Sequence, residues 1–526
     1  MAAFQLKSAN KYFFYIQFKN KAYSSYTLTN PSAYLSTAAI ERRLRYNIAI
    51  DSTDLPVSAF YCNQVANYGV SIHAKSKWLN GITVTTTDST IMSTIRSLSF
   101  VEFVQFTGLY TGTNNVARKV KSVTTDTINY GYAYAPLKQM NANYLHNSGY
   151  TGKNIKIAVL DAGFKNVNIN SGFDSLRLQN RLLGTKDFTE KTANIYNSDS
   201  HGANVLSYIA GNIPGNYFGA APHASFWLIR TEYGPTEYLC ETDFWASGAE
   251  FADSVGVDII NSSLGYTTFD DSSMDFSYQD MTGTVSRASR AATLASQKGI
   301  IVCTSAGNDG NKTWHYIGSP ADAKGVVSVG AATLSGEAAA FTSYGPTYDR
   351  RIKPDISAAG SYTNYINTSG TVSSGSGTSY SSPLIAGMFA CMLQFAKDRL
   401  YNYSPETIID AVYKSATLYP FPTAQLGYGI PDFQSACNSL TNSLNTAKVD
   451  SNLKVYYDKQ TKQIHVKSRG DIISEIRIFN TNGTIINHYY CNSEEITFNN
   501  IVLENGLYLL KASTESGSYT VKFIVQ

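Results

Sequence analysis

Hydrophobic positions change their spacing three times along this 526-residue chain. Residues 11 to 107 alternate short strand-like runs with helical ones. KYFFYIQF, VSIHAKSKW, ITVTTTD and VEFVQF read as strands, and YLSTAAIERRLRY, VSAFYCNQVANY and STIMSTIRSL as helices. This predicts a small α+β unit of roughly four strands over 1–110. The next stretch, 111–130, is polar, rich in Thr, Asn and Lys/Arg, and without a period. It predicts an exposed linker open to proteolytic nicking.

From 131 to 445 the strand candidates become continuous apolar runs, IKIAVL, SFWLIR, VDIINSSL, GIIVCTSAG and VVSVGA, separated by helical stretches. Strands apolar on both faces predict a parallel sheet covered by helices on each side. In such sheets ligands bind beyond the carboxyl ends of the strands. From 450 to 526 the pattern changes again, to LKVYYD, QIHVKS, EIRIFN, IINHYY, EITFN, YLLKAS and YTVKFIVQ, with turns at Asn482-Gly483 and Ser516-Gly517. About seven short strands predict an all-β immunoglobulin-like sandwich.

Composition narrows the function classes. A net charge of +3 with 15% charged residues gives no basic footprint for nucleic acid. No apolar run is long enough for a membrane span. The first residues, MAAFQLKSANKYFFYIQ, lack a basic region followed by an apolar one, so a removed signal is the expectation for an exported chain. Cys62, Cys240, Cys303, Cys391, Cys437 and Cys491 are scattered, with no paired spacing and no His at metal-ligand distance. Buried free thiols are expected at Cys303 and Cys391.

The chemistry is carried by GTSYSSP at 377–383, which runs directly into the apolar segment LIAGMFACMLQFA. Hydroxyl residues at a helix start serve as caps, and Thr378, Ser381 and Ser382 are read that way. Ser379 has a second reading as a nucleophile, beside unpaired backbone donors and the positive end of a helix dipole. A nucleophile requires a base and an orienting acid. His201 opens HGANVLSYIAG at a strand-to-helix boundary, Asp161 ends the strand KIAVL, and Asn308 follows another apolar strand in SAGND. Each has an ordinary explanation as a turn or cap residue, but together they predict four functional groups at one edge of one sheet.

With these residues the chain resembles the subtilisin-like serine proteases, whose triad runs Asp, His, Ser in sequence. Here the order is Asp161, His201, Ser379, separated by 40 and 178 residues. SSLG at 262–265, GAAPHA at 219–224 and RIKPDISAAG at 351–360 resemble further landmarks of that family. Ala203 and Ala359 depart from its usual residues. The resemblance implies an α/β catalytic domain and a serine endopeptidase, with Asp161, His201, Ser379 and Asn308 catalytic. It implies that Ser263, Leu264 and Gly265 bind substrate backbone, and that no cofactor is required. The N-terminal unit, with DLPV at 54–57, is similar to Bacteroidetes subtilase propeptides, which act as chaperone and inhibitor. The ending GLYLLKASTESGSYTVKFIV resembles the sorting domain of the type IX secretion system. A secreted or cell-surface zymogen is the expectation, acting on protein or peptide substrates and cut in its linker near Arg118, Lys119 and Lys121. The acidic residues Glu232, Glu237, Glu241 and Asp243 are expected to form a solvated loop, the other readings being a preference for basic substrate side chains or a bound calcium ion. An α/β-hydrolase lacks support, because no G-x-S-x-G surrounds Ser379, and a zincin lacks its H-E-x-x-H. An inactive adhesin on the same fold is the alternative function.

Overall fold

The computed structural model describes residues 11–110, 128–191, 194–400, 403–445 and, between 453 and 525, all but 459–460, 469, 500, 502 and 515–516. The cleavage site expected near Arg118, Lys119 and Lys121 lies outside the described residues, as does Ser516 of the last expected turn. The chain divides into two units: Met1–Asp398 with Asn402–Cys437, and Arg399–Tyr401 with Asn438–Gln526.

The first unit opens with the four strands that the sequence predicts, β1 (Lys11–Phe18), β2 (Ser71–Ser76), β3 (Gly81–Thr86) and β4 (Val101–Tyr110), in the antiparallel order β2-β3-β1-β4. Helices α1 (Thr37–Arg45), α2 (Ala59–Ala66) and α3 (Ile91–Arg96) accompany them. Ser36 and Ser58 cap the first two through their hydroxyls, which fixes where each helix starts. Phe14, Ile16, Val65, Ile82, Val84 and Ile95 form the local core.

Seven parallel strands follow: β5 (Lys156–Asp161), β6 (Leu182–Asp187), β7 (Ser225–Arg230), β8 (Ile259–Ser262), β9 (Ile301–Ser305), β10 (Val327–Ala332) and β11 (Ile356–Ala359). Their order is β11-β10-β9-β8-β5-β7-β6. The chain leaves β5 toward one edge and later returns to β5's other side, so β5 stands at the topological switch point. Five of the seven are the apolar runs read from sequence. β6 escapes that reading because an edge strand is half exposed, and β11 because its four residues, ISAA, are too few to show a pattern. Helices α4 (His201–Ala210), α5 (Cys240–Ser254), α6 (Arg287–Gln297) and α7 (Thr378–Arg399) cover the sheet, and a hairpin of β12 (Thr363–Ile366) and β13 (Val372–Gly375) precedes α7.

Buried charge ties the small N-terminal sheet to this one. Asp253 on α5 accepts from Arg42, from Arg43 at 3.0 Å and from Lys77 at 3.0 Å, while Lys298 reaches Asp54 at 3.0 Å and Asp51 at 3.1 Å. Glu250, one turn earlier, receives the Ser76 hydroxyl and the backbone N–H groups of Lys77 and Trp78. The three cations hold the Asp253 carboxyl far below the usual carboxylate range, despite its complete burial. Its contribution is therefore present above that usual range, near pH 4, and is lost as pH falls below it. Asp253→Ala leaves three cations without their common partner and is expected to weaken the docking by about 3 to 5 kcal/mol. Limited proteolysis checks this, with the N-terminal domain digested faster in the variant.

In the second unit β14 (Leu453–Asp458), β15 (Gln463–Ser468) and β18 (Glu495–Phe498) form one antiparallel sheet. β16 (Ile473–Phe479), β17 (Ile485–Ser493), β19 (Gly506–Thr514) and β20 (Gly517–Val525) form another, in the order β17-β16-β19-β20. Ile464, Val466, Ile476, Ile478, Leu510 and Val521 from the two sheets share one apolar cluster. All six cysteines are free, and all but Cys491 are buried. No helix among the described residues is long and apolar enough to cross a membrane.

Candidate active site

The apolar run of β5 ends at Asp161 because the next residues, Ala162 and Gly163, leave the sheet at its carboxyl edge. The Asp161 side chain is fully buried. One oxygen, Oδ1, accepts from the Ala162 N–H at 2.8 Å and from His201 Nδ1 at 2.8 Å; the other makes no hydrogen bond among the described residues. Two glycines permit the approach. A side chain on Gly202 would stand 2.7 Å from Asp161 Cβ, and one on Gly163 would stand 2.2 Å from Ser198 Oγ. Asp161 and His201, 40 residues apart, therefore meet at the seam between β5 and the first turn of α4.

His201 is one-third exposed, and its second ring nitrogen makes no hydrogen bond among the described residues. Its backbone N–H is taken by Asp199 Oδ1 at 2.7 Å, a cap that sequence reading misses although an Asp two residues before a helix start is a recognisable signal. Burial opposes the imidazolium, but the Asp161 charge and hydrogen bond, together with Asp199, raise the His201 pKa above its ordinary value. Burial raises the Asp161 pKa against the pull of His201.

Ser379 sits in the first turn of α7. Asn308 Oδ1 accepts from the Thr378 N–H at 2.8 Å and the Thr378 hydroxyl at 3.0 Å. With its oxygen so engaged, the Asn308 amide presents only donors on its other side. A Cβ on Gly377 would lie 3.7 Å from Ser379 N and 3.9 Å from Asn308 Nδ2, so these two donors border one space. Ser379 Oγ donates to the Ser263 carbonyl at 3.2 Å, and Ser263 Oγ donates to the Ser379 carbonyl at 2.9 Å. No hydrogen bond joins Ser379 to His201 among the described residues.

The capping role expected of the neighbouring hydroxyls is corrected. Ser381 donates to the Ala358 carbonyl and Ser382 to Asn261 Oδ1, while the Thr378 hydroxyl bonds Asn308. The start of α7 is buried between strand ends, so these hydroxyls fasten helix to sheet, and Asn308 supplies the cap from another element. Asn261, which sequence reading passed over, also donates to Ser263 Oγ at 3.3 Å. Ser263 is buried, Leu264 half-buried and Gly265 exposed, directly after β8. They lie at the same sheet edge as Asp161, and Ser263 reaches Ser379.

The acidic residues do not form a solvated loop. Glu232, Glu237 and Glu241 place carboxylate oxygens within 4.8 Å of one another, with Glu232 and Glu241 buried. Glu232 accepts from the Tyr266 hydroxyl, and Glu241 from the Tyr233 N–H at 2.6 Å. Asp243 stands apart, paired with Arg287 and Thr83. The cause is α5, which begins at Cys240 and carries both Glu241 and Asp243 under the N-terminal sheet. Burial and mutual repulsion raise the pKa values of Glu232 and Glu241, and burial beside Asp270 raises Glu237 to about 7.

Fold and site together define an α/β protein whose candidate groups gather at the switch point of a parallel sheet. The family model for the subtilases, peptidase family S8, matches residues 152–468, more than half of the chain. The chain belongs to the subtilase family. A Bacteroidota peptidase S8 propeptide domain matches residues 13–123, and a secretion system C-terminal sorting domain matches 457–526. Subtilisin NAT of Bacillus subtilis subsp. natto and subtilisin E of Bacillus subtilis strain 168 are each 30% identical over 282 residues, 52% of this chain. The match spans 65% of their length. A thermostable alkaline protease of Halalkalibacterium halodurans is 27% identical over 310 residues, covering 59% of this chain and 73% of that protein.

Proposed function

We propose that the chain is a secreted serine endopeptidase made as a zymogen. The observation that carries this reading is the 2.8 Å contact of His201 Nδ1 with the buried Asp161 carboxylate at the same sheet edge as Ser379. A carboxylate on Nδ1 holds the proton there, which leaves Nε2 as the base. Rotation of Ser379 about χ1 exchanges the Ser263 carbonyl for His201, which takes the serine proton as Oγ attacks a peptide carbonyl. Asp161 stabilises the imidazolium. The tetrahedral oxyanion is held by the Ser379 N–H at the start of α7 and by Asn308 Nδ2. His201 then returns the proton to the leaving amine, and water repeats the sequence on the acyl-enzyme.

Substrate lies extended beside Ser263, Leu264 and Gly265, with backbone hydrogen bonds providing affinity. The domain at 1–110 acts as an intramolecular inhibitor and folding aid, and the linker at 111–130 is the processing segment. The residues from 450 to 526 form an immunoglobulin-like sandwich that addresses the chain to the type IX secretion system. Seven strands in two antiparallel sheets with one shared core support that topology.

Asn308→Ala tests the oxyanion assignment. Peptide hydrolysis by the folded variant is expected to fall about 100- to 1,000-fold in kcat with KM little changed. Unaltered turnover would remove Asn308 from the mechanism. The chemistry itself needs no cofactor. Glu232, Glu237 and Glu241 offer the hard oxygen donors that suit a structural calcium ion. A lower Tm in EDTA, restored by calcium and absent in Glu241→Gln, is the expected signature.

A further inference from the structure

The residue after Ser379 has no part in proton transfer or oxyanion binding, yet its surroundings are specific. Tyr380 packs its ring on Tyr208, with centroids 5.0 Å apart and planes 26° apart, and on Tyr365 at 5.4 Å and 27°. Tyr208 and Tyr365 are 6.4 Å apart, so the three rings close a triangle. Each comes from a different element. Tyr380 is in the first turn of α7 beside Ser379, and Tyr365 is on β12. Tyr208 is on α4, seven residues after His201 and hence two turns along nearly the same face.

The cluster is fixed from outside as well. The Tyr208 hydroxyl bonds Thr363 Oγ1 at 2.9 Å, and Ser207 Oγ, next to it on α4, accepts the Ile366 N–H at 2.9 Å. These bonds hold α4 along β12. On β13, opposite Thr363, Gly375 leaves the room that the Tyr380 ring occupies. A Cβ there would lie 2.8 Å from Tyr380 Cε2 and 3.2 Å from Tyr365 Cε1. Burial pushes the Tyr380 hydroxyl up to about 12, so the residue stays neutral wherever His201 titrates.

We propose that Tyr380 is a positioning residue whose ring, clasped by Tyr208 and Tyr365, sets the helix carrying the nucleophile against the helix carrying the base. The proposal rests on the serine peptidase reading. The physical need is clear: His201 and Ser379 share no hydrogen bond in this structure, so their distance depends on how α4 and α7 are braced. Misplacement of reacting groups by about 1 Å costs on the order of a hundredfold in rate. Offset aromatic packing favours a particular ring geometry, a preference that an aliphatic side chain of similar size does not supply.

The test uses the full chain after an added protease has cut its 111–130 linker, which relieves inhibition by the N-terminal domain, and a fluorogenic peptide, with Ser379→Ala treated identically as the inactive reference. Tyr380→Leu is expected to lower kcat about a hundredfold with KM nearly unchanged, and Tyr380→Phe, which keeps the ring, to restore it. Gly375→Ala, which pushes the ring out of place by a different route, should lower kcat in the same way. If Tyr380→Leu and Tyr365→Leu act through one cluster, the double variant loses no more than the worse single one. Wild-type kcat in folded Tyr380→Leu would overturn the proposal, as would a Phe variant as slow as the Leu variant, or fully additive losses. A wild type no more active than Ser379→Ala would refute the peptidase reading and this one with it. An active wild type beside an unimpaired Tyr380→Leu would refute the positioning role alone.

Discussion

Ser379→Ala is expected to abolish both peptide hydrolysis and covalent labelling by a fluorophosphonate while leaving the fold intact. The scale is about a millionfold in kcat, the figure known for removing the serine of a subtilisin, to which this chain is related. The fold should survive because the hydroxyl makes one long bond, 3.2 Å to the Ser263 carbonyl, and Ser263 Oγ still has the backbone carbonyl of residue 379 as its acceptor. Near-wild-type thermal unfolding would confirm that the loss is chemical. A fluorophosphonate reacts only with an activated serine. A wild-type chain that still resists it after its linker has been cut and the N-terminal domain removed would therefore be the inactive binding protein that the sequence leaves open as the alternative.

Asp161→Asn should produce the next largest effect, about ten-thousandfold in kcat. The amide preserves shape but turns a charge-bearing acceptor into a group able to donate, so His201 loses the tautomer that leaves Nε2 basic. The pH profile carries a second signature. In the native chain Asp161 and Asp199 raise the His201 pKa. The proposed base must be neutral to act, so activity is expected to fall as pH drops through a value above the ordinary one near 6.5. Removing the Asp161 charge removes the largest factor raising it, so the acid limb of the residual activity moves to lower pH. A limb that stays in place would mean that another group controls the profile.

How much of this was legible in the sequence depended on the range of the interaction involved. The N-terminal four-stranded unit was readable because each strand and helix carries its own alternation or amphipathic stripe. Ser36 and Ser58 mark helix starts within three residues of the groups they cap. The central strands were readable because a strand buried on both faces leaves a continuous apolar run. Edge strand β6 and the four-residue β11 leave none, and the β12–β13 hairpin is polar enough to pass for a loop. Asp161, His201, Asn308 and Ser379 stood out by lying at the ends of such runs, where a parallel sheet collects its ligands.

The sequence by itself determined the order of most elements and the short list of candidate groups, because backbone propensity, burial pattern and turn chemistry act over a few residues. Only the tertiary structure decided what those groups touch. It placed Asn308 over Thr378, turned Ser381 and Ser382 from expected caps into fasteners, and buried Glu232 against Tyr266 and Glu241 against the Tyr233 backbone. It also brought Tyr208, Tyr365 and Tyr380 into one cluster. Each of these contacts joins residues from separate elements, and its energy comes from desolvation and geometry that exist only once the sheet has closed around its helices. No local pattern encodes them.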